Sequence, residues 1–196
     1  MPKLVYFVAS TIDGFIADPS GADPSGPDGF FVTGQDYIDH LVQEYPETIP
    51  GPFHQALGIQ PGNRHFDAVV MGRNTYELGV PAGITSPYPS LRQYVVSRTM
   101  TEPPDPAIEL VRDDPLAAVR RLKAGDGKDI WLCGGAKLAG ALRPEIDELV
   151  VKLNPVATGS GIPLFDGEFR PVPYRLADTH PLPSGVLFLS YAKSEL

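Results

Sequence analysis

The stretch Asp129-Ile-Trp-Leu-Cys-Gly-Gly-Ala-Lys-Leu-Ala-Gly-Ala-Leu142 decides the fold. Ile130 to Cys133 is apolar, partly β-branched or aromatic, and too short for a helix, so it reads as a buried strand. Two glycines follow directly. Leu138 and Leu142 then fall four apart, on one face of a helix. A strand that runs into a helix through Gly134-Gly135 aims free backbone N–H groups and a helix N-terminus at one point, the arrangement that seats a phosphate. Glycine suits such a turn because a side chain blocks close approach and the backbone can require positive φ. An ordinary tight strand-to-helix turn has the same composition, and this stretch alone leaves both readings open.

Working outward, four further apolar runs read as buried strands: Leu4–Ala9, Ala68–Met71, Tyr94–Val96 and Leu149–Leu153. Helical patterns lie between several of them. Over Gln35–Tyr45, Tyr37, Ile38, Leu41, Val42 and Tyr45 share a face, with Thr33 as cap and Asp36 as a capping-box partner. Over Pro115–Lys123, Leu116, Val119 and Leu122 make the stripe, Asp114 is the N-cap and Gly125 ends the helix. Strands alternating with helices imply an α/β domain with a mostly parallel sheet covered on both faces. Tyr174–Asp178 and Val186–Tyr191 follow Leu149–Leu153 without intervening helices, which implies an antiparallel C-terminal edge. Many of the 22 prolines lie in Asp18–Pro27, Pro46–Pro61 and Pro81–Pro89, read as ordered surface loops.

Composition excludes several classes. At 196 residues the chain fits a single domain over 1–196 that needs no disulfide staple. Its one cysteine, Cys133, permits no internal disulfide and sits in an apolar strand as a small hydrophobe. A net charge of −8 without a basic patch argues against nucleic acid. No apolar run is long enough for a signal peptide or membrane span, so the expected address is the cytoplasm. There is no G-x-G-x-x-G after the first strand and no P-loop. His40, His54, His65 and His180 lack metal-ligand spacing, and no metal is expected.

In a parallel sheet the carboxyl ends of the strands share one edge, and ligands bind there. The ends here are Ala9-Ser-Thr-Ile-Asp-Gly14, Met71-Gly-Arg-Asn-Thr75, Val96-Ser-Arg98 and Cys133-Gly-Gly-Ala-Lys137. Arg73, Arg98 and Lys137 thus converge beside glycine turns and hydroxyls, which suits a phosphate-bearing ligand. Three unrelated surface charges are the alternative. Thr158-Gly-Ser-Gly161 is either a simple turn or part of the same edge.

These strand ends, in this order, resemble the dihydrofolate reductase-like family, and within it the branch of the C-terminal reductase domain of bacterial riboflavin biosynthesis. The matching pieces are Ser10–Ala17, Val70–Glu77, Tyr94–Ser97, Leu132–Gly135 and Asp147–Val150, with Gly159-Ser-Gly161 and Leu164-Phe165. The resemblance implies a three-layer α/β/α domain, a loop and helix insertion at about 18–65, and NADPH bound across the strand ends. Carried over, Gly72, Arg73, Asn74 and Thr75 hold pyrophosphate and adenosine phosphate, while Ser97 and Arg98 border the adenosine ribose and its 2′-phosphate. Cys133, Gly134, Gly135, Ala136, Lys137 and Leu138 wrap the pyrophosphate, with a cis bond between Gly134 and Gly135. Ala9 and Ile16 face the nicotinamide, and Gly159 and Gly161 border the site. In folate enzymes a helix in the 18–65 region supplies an acid; Asp36 and Asp39 occupy that helix here, though in no matching motif. The deaminase domain that often precedes the riboflavin reductase is not expected, since the first strand begins at Leu4.

The resulting expectation is an NADPH-dependent reductase, a homodimer, acting on a heterocyclic or imine/carbonyl small molecule. The alternatives are a strict dihydrofolate reductase and a non-catalytic nucleotide-binding protein.

Overall fold

The structure, a computed structural model, describes residues 1–60 and 62–194. Its centre is an eight-stranded sheet. In chain order the strands are β1 (Leu4–Thr11), β3 (Phe66–Gly72), β4 (Arg92–Val96), β5 (Ile108–Val111), β6 (Asp129–Gly134), β7 (Ile146–Asn154), β9 (Tyr174–Pro181) and β10 (Leu187–Lys193). They lie in the order β5-β4-β3-β6-β1-β7-β10-β9. The first six are parallel to one another, and β10 runs antiparallel between β7 and β9. A small antiparallel pair, β2 (Phe15–Ala17) and β8 (Ile162–Pro163), stands beside the sheet. The mostly parallel sheet with an antiparallel C-terminal edge is the architecture read from the apolar runs.

Central strands are buried on both faces, so their sequences are nearly continuous apolar runs. In β1, Val5 and Phe7 enter one core layer while Leu4, Tyr6 and Val8 enter the other. The first layer packs under α1 (Gln35–Glu44) through Tyr37 and Leu41, and under Tyr76 of α3 (Arg73–Glu77). The second packs under α4 (Pro115–Lys123) and α5 (Ala136–Leu142) through Val119, Leu138, Ala139 and Leu142. The result is three layers.

Local signals fared unevenly. Asp114 caps α4 as read, accepting from the Ala117 N–H at 3.0 Å. Thr33 does not cap α1: Gly34 is the N-cap, with no side-chain bond, and Asp36 instead accepts from the N–H groups of Tyr37 and Ser184. The tertiary partner, Ser184 in the β9–β10 connection, captures the carboxylate that the local pattern assigned to a capping box. Periodicity missed β5, a four-residue strand, and α2 (His54–Leu57), which lies within the proline-rich stretch read as a loop. Pro61, at the end of that stretch, lies outside the described residues.

Candidate active site at the strand ends

β4, β3, β6, β1 and β7 present their carboxyl ends along one edge, and there the β3 and β6 turns meet. A Cβ added to Gly72 would lie 3.4 Å from the Gly135 N and the Gly134 O. Gly72 is the N-cap of α3 and Gly135 that of α5, and no side chain caps either helix. Two backbone turns therefore open onto one spot. Gly134 has φ +132, where any other side chain is strained, whereas Gly135 has φ −92. A Cβ on Gly135 meets only Thr75 Oγ1, at 3.6 Å, so the space in front of it is open. The peptide between the two glycines is cis. Ala136 and Leu138 are buried behind the turn, and Lys137 is exposed.

The cations differ in their surroundings. Arg73 donates to Glu77 at 2.8 Å and to Thr99 Oγ1 at 2.7 Å, and Asn74 beside it is exposed. Arg98 is exposed and has no carboxylate partner among the described residues. Ser97 is buried, and its Oγ accepts from the N–H groups of Met100 and Thr99, so its lone pairs serve the turn after β4.

The β1 end is stapled to the glycine loop after β7. Asp13 accepts from Thr11 Oγ1 at 2.6 Å and from the N–H groups of Thr158 and Gly159. The Thr11 hydroxyl and these amides hold its carboxyl below the usual range. Thr158–Gly161 thus lies along the same edge. Gly161 is required by packing, since a Cβ there would fall 2.4 Å from the Ala17 O. Ile16 packs half-buried against the second core layer.

On the α1 side of the sheet, the ends of β1, β7 and β6 bring a further group of side chains together. Ala9 lies half-buried there, opposite Lys152 in the β1–β7 register. Cys133 enters from β6. Packing pushes its thiol up to about 11, with Lys152 and the Tyr88 hydroxyl acting in the opposite direction. Tyr88, edge-on to Trp131 at 4.6 Å, has its hydroxyl raised by burial. The 18–34 loop closes over this side, the Val32 N–H donating to Asn154 Oδ1 at 2.8 Å.

The remaining candidates are Asp36 and Asp39. They line a groove of about 540 Å³ between α1 and β9–β10, with His40, Glu44, Asp178 and His180. Asp36 Oδ2 accepts from the Ser184 N–H at 2.8 Å, and Asp39 accepts from Gln35. Sequence reading overlooked Lys152 and Tyr88. Lys152 had a signal: it is a lysine inside the apolar run Leu149–Leu153.

The chain matches the family described as RibD C-terminal domain over residues 2–188. It is 36% identical over 202 residues to the uncharacterized Bacillus subtilis (strain 168) protein YyaP, covering 96% of this chain and 94% of that one. Among solved structures, a putative riboflavin biosynthesis protein from Shewanella sp. PV-4 superposes with a TM-score of 0.69 at 22% identity, covering all of both chains. The Enterococcus faecalis dihydrofolate reductase complexed with NADP(H) and RAB-propyl superposes with a TM-score of 0.66 at 16% identity, covering 98% of this chain and 97% of that one.

Proposed function

The chain belongs to the RibD C-terminal domain family, and from that premise we propose that it is an NADPH-dependent reductase of a small heterocyclic, imine or carbonyl compound. The observation that carries this reading is the meeting of the Gly72 and Gly135 turns. Both turns are uncapped by side chains. An open space in front of Gly135 is a cradle that a Cβ would fill, and backbone N–H groups at two helix starts suit a pyrophosphate.

In this reading Gly72, Asn74, Thr75 and the Gly134–Leu138 turn hold the pyrophosphate. Arg98, free of carboxylates, and Arg73, once it releases Glu77, meet an adenosine 2′-phosphate. Ser97 contributes by shaping the turn that carries Arg98. Gly159 shapes the loop bordering the site, and Gly161 fixes that loop to β2. Ala9 is small enough to let a flat ring approach β1, with Ile16 at its border. NADPH, when bound, supplies the hydride; the protein supplies position and exclusion of water. Cys133 stays a protonated thiol at neutral pH and acts as a wall. Asp36 and Asp39 are carboxylates of α1, the helix expected to carry the proton donor, and substitution separates their roles.

We read residues 1–196 as one reductase domain with an insertion at about 18–65, acting in the cytoplasm. No helix among the described residues is long and apolar enough to cross a membrane. The half-buried Leu187 and Leu189 of β10, paired with Leu153 and Val151 of β7, favour a two-fold dimer near the antiparallel C-terminal edge of the sheet. Light scattering at micromolar concentration should give twice the chain mass.

The decisive test is calorimetry with NADPH, followed by a spectrophotometric screen of its oxidation against pterins, pyrimidine ribosylamines and simple carbonyls. Binding with turnover of one class supports the reading. Binding with turnover of none favours a nucleotide-binding protein, and no binding ends it.

A further inference from the structure

On the face of β7 that packs under α1, Val150 belongs to the core and Asn154 holds the 18–34 loop. Lys152 stands between them. Its Nζ lies 4.3 Å from the centre of the Phe7 ring and 5.9 Å from that of Tyr37. The side chain is half-buried, and among the described residues no carboxylate pairs with it. Lys123 shows the contrast: its side chain is 15% exposed, and it meets both Glu145 and Asp147.

An ammonium withdrawn from water is costly unless something answers its charge. Two ring faces answer part of it, and they leave its N–H donors free. Those donors lie near enough to Cys133 to oppose the rise of its thiol, with Ala9 directly across the β1–β7 register. The Tyr88 hydroxyl acts on the Cys133 thiol in the same direction as Lys152.

We propose that Lys152 is the specificity-determining residue of the substrate site beside Ala9, its ammonium receiving an anionic or strongly polarised oxygen of the molecule to be reduced. The assignment rests on the reading of Ala9 as the nicotinamide position. It selects oxo-bearing rings or chains whose reducible carbon lies beside that oxygen. A ring of the diamino type, which presents N–H donors and gathers positive charge, meets the ammonium unfavourably. The preference is thus opposite to that of a cleft built around a carboxylate.

Two probes share a ring and differ in this respect: barbiturate, an anion with oxygen acceptors, and 2,4-diaminopyrimidine. Each is titrated by calorimetry into protein saturated with NADP⁺, for wild type, Lys152→Met and Lys152→Arg. NADPH affinity and melting temperature are measured for all three. Wild type should bind barbiturate more tightly than the diaminopyrimidine. Lys152→Met should lose at least about tenfold in barbiturate affinity, the scale of one charge-assisted hydrogen bond. Lys152→Arg should recover most of it, and NADPH affinity should stay within about twofold. Equal or tighter binding of the diaminopyrimidine, no barbiturate binding by the NADP⁺-loaded wild type, or an unchanged barbiturate affinity in Lys152→Met overturns the assignment while leaving the cofactor reading intact. A wild type that binds neither NADP⁺ nor NADPH overturns the cofactor reading first, and the assignment with it.

Discussion

Two regions on the face of the sheet that α1 covers differ in how their polar groups are spent. The groove between α1 and β9–β10 is wide, about 540 Å³, and rich in carboxylates and imidazoles. Yet its Asp36 is committed to the Ser184 and Tyr37 N–H groups, and its two histidines stack on each other at 4.3 Å. At the strand ends, by contrast, Lys152 has no carboxylate ion-pair partner among the described residues, and the helix starts at Gly72 and Gly135 carry no side-chain cap. Groups that satisfy one another are expected to be structural. Chemistry is expected where a group or a backbone turn is left waiting for a partner.

The sharpest way to break this contrast is at the glycine pair. Gly135→Ala places its Cβ in open space with an allowed φ, so the ligand-free melting temperature should change little. NADPH affinity should fall by a hundredfold or more, on the order of two charge-assisted hydrogen bonds at about 1.5–3 kcal/mol each. Gly134→Ala should instead cost about 1–3 kcal/mol of stability through its positive φ. If Gly135→Ala melts low and keeps a full NADPH-induced shift, the turn is only structural and the strand-end site loses its cofactor.

Next in size is the choice between NADPH and NADH. Arg98 and Arg73 predict at least about tenfold tighter binding of NADPH, from one charge-assisted contact to the 2′-phosphate. Arg98→Ala should remove more of this preference than Arg73→Ala, because Arg73 must first leave Glu77 and Thr99. Equal affinity for both cofactors in calorimetry would refute it.

A smaller effect sharpens the comparison from the groove side. Asp36→Asn and Asp39→Asn should leave NADPH affinity unchanged, and Asp36→Asn should lower the melting temperature by weakening the Ser184 contact. Should either variant abolish turnover while binding NADPH normally, the groove carboxylates take part in the chemistry and the contrast between the two regions fails.

The smallest effect is pH-dependent. Burial, then the neighbouring His180, holds the His40 pKa below 6.5, with Glu44 opposing. The groove also brings Asp36, Asp39 and Asp178 near this pair, and the rings of Phe188 and Tyr45 pack on His40. Above pH 6.5 His40 is neutral in both folded and unfolded chains, and its contribution is complete. As pH falls below that value the unfolded chain takes the proton first, so stability drops until the lowered folded pKa is passed. Chemical denaturation across this window should show a shallower pH slope for His40→Asn than for wild type. An identical slope would mean that the stacked pair does not carry the linkage.

Much of this molecule was legible before folding was considered. Leu4–Ala9, Ala68–Met71, Ile130–Cys133 and Leu149–Leu153 are apolar through and through because both faces of a parallel sheet are covered, and such runs announce themselves locally. Gly134-Gly135 was legible for a similar reason: a strand cannot become a helix in two residues, one of them at φ +132, without glycine. The sequence by itself therefore determined the sheet, its antiparallel C-terminal edge and the edge on which the glycine turns lie. Only the tertiary structure decided which polar groups were spent and which were free. Asp36 looked like a local cap until Ser184 reached it from 148 positions away. Lys152 looked like an interruption in a strand until the β1–β7 register placed it opposite Ala9, over the ring of Phe7. The physical reason is range: periodicity and turn chemistry act over a few residues, whereas a side chain's partner is set by strand register and by loops that return from far along the chain.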